Sequence, residues 1–245
     1  MTKKTADPQK NKEEPSSPAI GLVLELEYML FPGRQLMFKS FSSVLNSQQI
    51  NLDQAAFSRY CLHRAVEKNL QDLLPALGKK EIAADALAAK IKKQFEASLN
   101  DPANHAAPGL PAFLKKAVES NFKIGLLSFL PEENAKELMK RLPPELNACL
   151  LVMKKEADDL PTPDSWLSLL KTMEIVPRCA LAVVDGNPAC KSALAVGMGC
   201  VVVPDSFTNW QDFSGADLVA ENISDLKMNE ITALLSTAHF RKRAK

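Results

Sequence analysis

Residues 20–24 of the chain are Ile-Gly-Leu-Val-Leu, and the acids Glu25 and Glu27 follow directly, separated by Leu26. Four later stretches, residues 124–127, 149–153, 180–184 and 200–203, are equally short and almost wholly apolar. Continuous rather than alternating apolarity is typical of parallel β-strands that are covered on both faces. The pattern therefore predicts a buried parallel sheet whose first strand is residues 20–24.

Helical stretches lie between the predicted strands, at residues 110–120, 132–141, 165–173 and 189–196. Strands that alternate with helices indicate an α/β fold with a doubly wound parallel sheet. Residues 33–99 depart from this alternation, because they place apolar side chains such as Phe38, Phe41 and Leu45 at helical spacing and contain no strand-like run. The sequence thus predicts an α/β core from residues 18–31 and 110–235, a helical insert at 32–109, a disordered tail at 1–17 and a basic tail at 236–245.

The composition restricts the class of protein. The 245 residues are 46% hydrophobic and 24% charged, and 30 basic against 29 acidic residues leave a formal charge of +1. A packed globular protein fits these values, whereas a dedicated nucleic-acid binder does not. No apolar run approaches the roughly 20 residues that cross a bilayer. The five cysteines form no C-x-x-C pair, which predicts reduced thiols in the cytoplasm rather than disulfides or a zinc site.

Polar residues follow several of the predicted strands. Glu25 and Glu27 follow the first, Ser128 the second and Asp185 a later one. The carboxyl ends of parallel strands form the usual ligand site of an open sheet. If the first strand stays extended, Glu25 and Glu27 point the same way and, with Asp185, could share a divalent cation, while Ser128 could hold a phosphate oxygen. The alternatives are a solvated loop for the glutamates, a turn or helix cap for Ser128 and a common turn at Asp185.

The order of these features resembles the haloacid dehalogenase-like hydrolases, in particular the β-phosphoglucomutase and phosphoglycolate phosphatase branch. The resemblance covers residues 18–235: residues 25–31 align with the D-x-D-G-T-L motif, Ser128 with the phosphate-binding Ser or Thr, and residues 184–187 with the acidic metal loop. It implies a Rossmann-like core with an inserted helical cap. It also implies phosphoryl transfer, in which one aspartate attacks phosphorus, a second protonates the leaving oxygen, and Mg²⁺ and a lysine neutralise charge.

This sequence departs from the family pattern at several functional positions. Glu25 and Glu27 replace the two aspartates, Tyr28 replaces a glycine, and Leu160 replaces the lysine. An added methylene displaces a carboxylate by about 1 Å, and misplacement of that size can cost roughly a hundredfold in rate. The candidates that the resemblance implies are, as catalytic residues, Glu25, Glu27 and Ser128; as substrate-binding residues, Ser128, Phe129 and Tyr28; and as metal ligands, Glu25, Glu27 and Asp185.

Three functions remain open from the sequence. The substitutions favour a catalytically impaired pseudo-phosphatase that binds a small phosphorylated ligand or a protein partner, with Mg²⁺ bound weakly or not at all. The first alternative is a Mg²⁺-dependent phosphohydrolase that uses Glu25 and Glu27, with Lys154 or Lys155 supplying the missing charge. The second is an interaction protein that binds an acidic partner or RNA through its basic termini, whose basic residues are Lys3, Lys4, Lys10, Lys12, Arg241, Lys242, Arg243 and Lys245.

Overall fold

A computed structural model describes residues 19–63, 65–153 and 161–241, with side chains described through residue 235. Several predictions fall on other parts of the chain. The N-terminal tail, Lys154, Lys155 and Leu160 lie outside the described residues, and so do the side chains of the basic C-terminal tail.

The described residues form one parallel sheet of six strands in the order β3-β2-β1-β4-β5-β6. From β1 the chain moves outward through β2 and β3, and then returns to place β4 on the other side of β1. The strand order therefore reverses between β1 and β4, which is where open α/β sheets bind ligands. The strands are β1 (Ile20–Glu25), β2 (Phe122–Ser128), β3 (Cys149–Val152), β4 (Ala180–Val184), β5 (Gly199–Val202) and β6 (Leu218–Val219).

Helices flank this sheet, and the first four follow β1 with no described strand between them. The predicted α/β fold with a helical insertion is thus confirmed, whereas the domain boundaries stay a prediction. The helices are α1 (Gly33–Asn46), α2 (Gln54–Tyr60), α3 (Val66–Ala76), α4 (Ala84–Asn100), α5 (Leu110–Glu119), α6 (Glu132–Met139), α7 (Pro163–Met173), α8 (Asn187–Ala195) and α9 (Met228–Arg241).

Five of the six strands match the apolar runs that the sequence offers, within two residues at either end, and β6 was not predicted. This edge strand has only two residues, and Val219 is 49% exposed. Its pairing with β5 places Leu218 opposite Val201. Two half-exposed residues give no apolar run, so the sequence pattern carries no signal for this strand.

The two faces of the sheet are buried against different helices. Leu22 and Leu24 of β1 belong to an apolar cluster that continues through α5, α6 and the helices α1–α4. Val23, which points the other way, packs with α7 residues such as Trp166 and Leu169. Because both faces are covered, the strand is apolar at consecutive positions, and each fully buried aliphatic side chain contributes about 1.5–3 kcal/mol.

Aromatic packing joins the helical insert to the segment that follows β5. Phe207, on that segment, lies 5.1 Å from Phe57 of α2 and 5.4 Å from Phe38 of α1, measured between ring centroids. Gln54 Nε2 also donates a hydrogen bond of 2.9 Å to the carbonyl oxygen of Ser206. The insert is therefore held against the carboxyl edge of the sheet on the side of β5.

Candidate functional site

The chain does not stay extended after β1. Residues Leu26–Leu30 form a single π-helical turn, and α1 begins at Gly33. A Cβ atom at position 33 would lie 2.1 Å from the carbonyl oxygen of Glu27, so only glycine fits this close approach. The extended geometry that would point Glu25 and Glu27 the same way is therefore wrong. Glu25 is the last residue of β1, whereas Glu27 lies in the π-helical turn.

Both glutamates are buried, with Glu25 fully enclosed and Glu27 only 1% exposed, which excludes the solvated-loop alternative. Glu27 Oε1 accepts a hydrogen bond of 2.8 Å from the backbone N–H of Phe129, just beyond β2. This bond joins the turn after β1 to the end of β2. Charge-assisted bonds from a backbone N–H to a carboxylate are among the stronger hydrogen bonds in proteins.

Ser128 is fully buried at the end of β2. Its Oγ accepts a hydrogen bond of 3.2 Å from the backbone N–H of Leu130, which is the local bond that the turn interpretation predicts. Strand pairing sets Glu25 opposite Leu127, so Glu25, Glu27, Ser128 and Phe129 lie together at the carboxyl edge of β1 and β2.

Asp185 lies at the same edge, directly after β4, but its carboxylate is paired with an arginine. Arg34, the second residue of α1, donates from Nε to Asp185 Oδ2 over 3.1 Å, and its Nη2 bonds to the same oxygen. Arg34 Nε also lies 3.1 Å from Oδ2 of Asp205, which follows β5. Arg34 is 5% exposed and Asp185 3% exposed, so this is a buried ion pair between the helical insert and the sheet.

Tyr28 completes the surroundings of this ion pair. The Arg34 guanidinium carbon lies 5.1 Å from the centroid of the Tyr28 ring, a cation–π distance. On its other flank the Tyr28 ring stacks with Phe95 of α4, with 6.4 Å between centroids. The Tyr28 ring therefore supports the arginine.

The carboxyl group of Asp205 experiences opposing influences. Burial raises its pKa and the neighbouring Asp185 raises it further, whereas the Arg34 guanidinium and hydrogen bonds from Phe207 N and Thr208 Oγ1 lower it. The net direction is upward, so the charged form of Asp205 is less favourable in the folded protein than in water.

Sequence reasoning missed Arg34 and Asp205. No motif marks either residue, and Arg34 and Asp185 are 151 positions apart along the chain. The only local signal for Arg34 is its place directly after Gly33, where α1 begins. A pairing of this kind becomes visible only when the topology of the sheet is known.

The residues at this edge do not fit a magnesium ion. Among residues 19–63, 65–153 and 161–235, no three side chains of His, Cys, Asp or Glu are grouped so that they could hold a metal ion. Mg²⁺ requires oxygen ligands in near-octahedral geometry at about 2.0–2.1 Å. Asp185 Oδ2 instead accepts two bonds from a guanidinium group, which carries donors only.

A cleft of about 440 Å³ opens beside the ion pair, between the start of α1 and the segments after β5 and β6. Of the predicted site residues, Tyr28 and Asp185 line it, whereas Glu25, Glu27, Ser128 and Phe129 are not part of its lining. Its described charged residues are Arg34, Asp185, Asp205 and Glu221. Three acids therefore face one base, which does not favour a dianionic ligand.

Comparison with known proteins bears on the fold. No family model matches the chain. Over 70 residues it is 29% identical to Protein CbbY of Cereibacter sphaeroides, covering 29% of this chain and 30% of that protein. Over 114 residues it is 25% identical to Protein CbbY of Rhodobacter capsulatus, covering 45% and 50%. The matches thus span half or less of the curated relatives.

Solved structures resemble the chain over most of its length. CbbY from Rhodobacter sphaeroides, in complex with xylulose-(1,5)bisphosphate, has a TM-score of 0.71 at 16% identity, covering 86% of this chain and 98% of that one. β-Phosphoglucomutase from Clostridium difficile has a TM-score of 0.72 at 15% identity, covering 90% and 98%. The chain therefore has the haloacid dehalogenase-like fold, as its sequence pattern predicts. None of the described helices is both long and apolar enough to span a membrane.

Proposed function

We propose that this chain is a haloacid dehalogenase-fold protein that has lost most or all phosphoryl-transfer activity and acts by binding a small ligand or a protein partner. The observation that carries the proposal is the buried ion pair between Arg34 and Asp185, which commits the acid of the metal loop to a partner within the chain.

The two glutamates support the same conclusion. By resemblance, Glu25 stands where the attacking carboxylate belongs, but its side chain is one methylene longer and fully buried. Glu27 stands where the general acid belongs, and its Oε1 accepts a hydrogen bond from Phe129 N. A general acid must reach the leaving oxygen of its substrate, whereas this carboxyl oxygen is bonded to the backbone at the end of β2.

The charge balance also argues against turnover. Phosphoryl transfer depends on cations placed around the transferred group, each worth about 3–4 kcal/mol when it acts in a preorganised site. Among the described residues that line the cleft, the basic one is Arg34. The carboxylates of Asp185 and Asp205 already compensate its charge. By resemblance the lysine position is Leu160, so the family's second cation is replaced by an apolar side chain.

The cleft beside Tyr28 is the proposed binding site for a small ligand. Its volume of about 440 Å³ suits a compound the size of a sugar or nucleoside. Phosphorylated sugars should be tested in pairs with their unphosphorylated counterparts, because a solved relative in fold holds xylulose-(1,5)bisphosphate whereas the acids of this cleft disfavour a dianion. A protein partner remains the second form of the proposal.

Turnover measurements test the proposal directly. We expect a panel of phosphate monoesters, assayed with Mg²⁺ at neutral pH, to be hydrolysed far more slowly than about 1 s⁻¹, the low end of ordinary enzymes. Turnover at or above that rate would refute the proposal. If Glu25→Gln and Asp185→Asn each then abolished it, the chain would be a Mg²⁺-dependent phosphohydrolase that tolerates glutamates.

A further inference from the structure

We propose that the Arg34 guanidinium is the permanent cation of this site and takes the place of a divalent metal ion, so that the native chain binds neither Mg²⁺ nor Mn²⁺ there. The inference deepens the proposed function, on which it rests for the identity of the site. Arg34, rather than a metal ion, compensates the negative charge of Asp185, and this holds whether or not the chain catalyses a reaction.

The contacts of Asp185 carry the first step. Both Nε and Nη2 of Arg34 bond to a single oxygen, Oδ2, and the two side chains are 5% and 4% exposed. The second oxygen, Oδ1, is buried and has no hydrogen-bond partner within the described part of the chain. A metal ion on Oδ2 would have to displace the guanidinium, and one on Oδ1 would lie next to it, with two like charges close together in a buried site.

The second step is that Arg34 is held by more than Asp185. Asp205 Oδ2 lies 3.1 Å from Nε, and the Tyr28 ring lies 5.1 Å from the guanidinium carbon. The backbone is fixed as well, because Gly33 starts α1 in close contact with Glu27 and donates a 2.7 Å hydrogen bond to Phe31 O. Because its backbone is fixed and its guanidinium contacts both Asp205 and the Tyr28 ring, Arg34 is not readily displaced by an incoming metal ion.

The third step concerns what the site loses. Divalent ions of this class need several oxygen ligands, and Arg34 contacts the carboxylates of both Asp185 and Asp205. A guanidinium presents only N–H donors and cannot serve as a ligand. The arginine thus compensates part of the negative charge of the two acids and, at the same time, excludes the metal.

Metal titration of the native chain is the first test. Mn²⁺ binding followed by electron paramagnetic resonance, and thermal unfolding in millimolar Mg²⁺, should both show no binding that depends on Asp185. A ligand at a hundred times its dissociation constant stabilises a fold by about 2.7 kcal/mol, so binding would raise the melting temperature visibly. Mn²⁺ binding to the native chain that Asp185→Asn removes would overturn the inference.

Arg34→Ala is the second test. Removing the guanidinium should leave Asp185 and Asp205 available, so Mn²⁺ affinity should rise at least about tenfold and the ion should raise the melting temperature of the variant. Arg59→Ala, an exposed arginine of the same insert, is the matched control and should gain nothing. The double variant Arg34→Ala with Asp185→Asn should lose the gain. A folded Arg34→Ala chain with native-like Mn²⁺ affinity would overturn the inference.

Arg34→Gln protects the test against loss of folding, since it also removes the charge but keeps more of the side-chain volume than alanine. The outcomes separate this inference from the proposed function. Hydrolysis of a phosphate ester without metal would refute the proposed function alone. Asp185-dependent Mn²⁺ binding by the native chain without turnover would overturn the role of Arg34 alone.

Discussion

The carboxyl edge of the sheet contains two regions of different character. At β1 and β2, Glu27 and Ser128 accept hydrogen bonds from the backbone N–H groups of Phe129 and Leu130. At β4 and β5, Asp185 and Asp205 both contact a side chain, Arg34, which comes from the helical insert, although Asp205 Oδ1 also accepts a bond from the backbone N–H of Phe207. The first region is tied into the sheet itself, whereas the second joins the sheet to the insert and borders the cleft.

The difference indicates which side of the sheet edge can respond to a ligand. A carboxylate that accepts hydrogen bonds from backbone N–H groups holds a loop in place, and this structural role requires no ligand. A buried ion pair between two parts of a chain responds to anything that competes for either charge. The β4–β5 side is therefore the side on which a ligand or a movement of the insert would act.

The largest effect that we expect tests the ion pair. Arg34→Ala should lower the free energy of unfolding by about 3–5 kcal/mol, because breaking a buried pair leaves an uncompensated carboxylate at Asp185. Urea denaturation followed by circular dichroism measures the loss. Adding Asp185→Asn should restore part of the stability, since it removes the stranded charge.

Arg59→Ala is the control for this prediction. Arg59 is exposed and its guanidinium lies over the Tyr60 ring, 5.5 Å from the centroid. Its replacement should change the unfolding free energy by no more than about 0.5 kcal/mol, as surface substitutions usually do. If the two arginine variants were equally stable, the ion pair would not be what distinguishes the β4–β5 side.

Much of the fold could be predicted from the sequence because each buried strand is a local apolar run. Residues 180–184 were predicted as a strand and form β4, and the absence of such runs over 33–99 correctly indicated a helical insertion. Both signals depend on residues close together in the chain. β6 was missed because two half-exposed residues cannot produce an apolar run.

The site was less predictable, for a physical reason. That Glu25, Ser128 and Asp185 share one edge follows from strand ends alone, and the structure agrees. The partner of Asp185, however, comes from 151 positions away, and nothing near Arg34 indicates that it is buried. The extended geometry expected for Glu25 and Glu27 also failed, because the π-helical turn after β1 has no apolar periodicity of its own.

A smaller effect tests the β1–β2 side. Glu27→Ala should cost about 1–3 kcal/mol of unfolding free energy, because the Phe129 N–H loses its acceptor at Oε1 in a buried setting. Glu27→Gln is the matched variant, since its amide oxygen can still accept that bond, and it should cost clearly less. Equal losses for the two would mean that the charge of Glu27, rather than its hydrogen bond, holds the turn, and the contrast between the two sides would fail.

The smallest effect concerns Asp205, whose pKa is raised chiefly by burial and further by Asp185, against the attraction of Arg34. Because the folded protein holds this proton more tightly than the unfolded chain, the contribution of Asp205 to stability is greatest below the ordinary aspartate range. It declines as the pH rises through the raised pKa. The Asp205 side chain is 35% exposed and solvent screens it, so the decline should stay under about 1 kcal/mol.

Asp205→Asn, which cannot titrate, removes that pH dependence. The stability of the native chain relative to this variant should therefore fall as the pH is raised from the acid side to neutral, in urea unfolding at a series of pH values. Asp53→Asn is the control, because Asp53 is exposed and caps α2 through a 2.7 Å bond to Ala56 N, away from Arg34. The opposite result, in which the native chain gained stability relative to Asp205→Asn as the pH rose, would contradict this prediction. It would show that Arg34 stabilises the ionised carboxylate of Asp205 by more than burial destabilises it. Arg34, rather than burial, would then determine the charge state of Asp205.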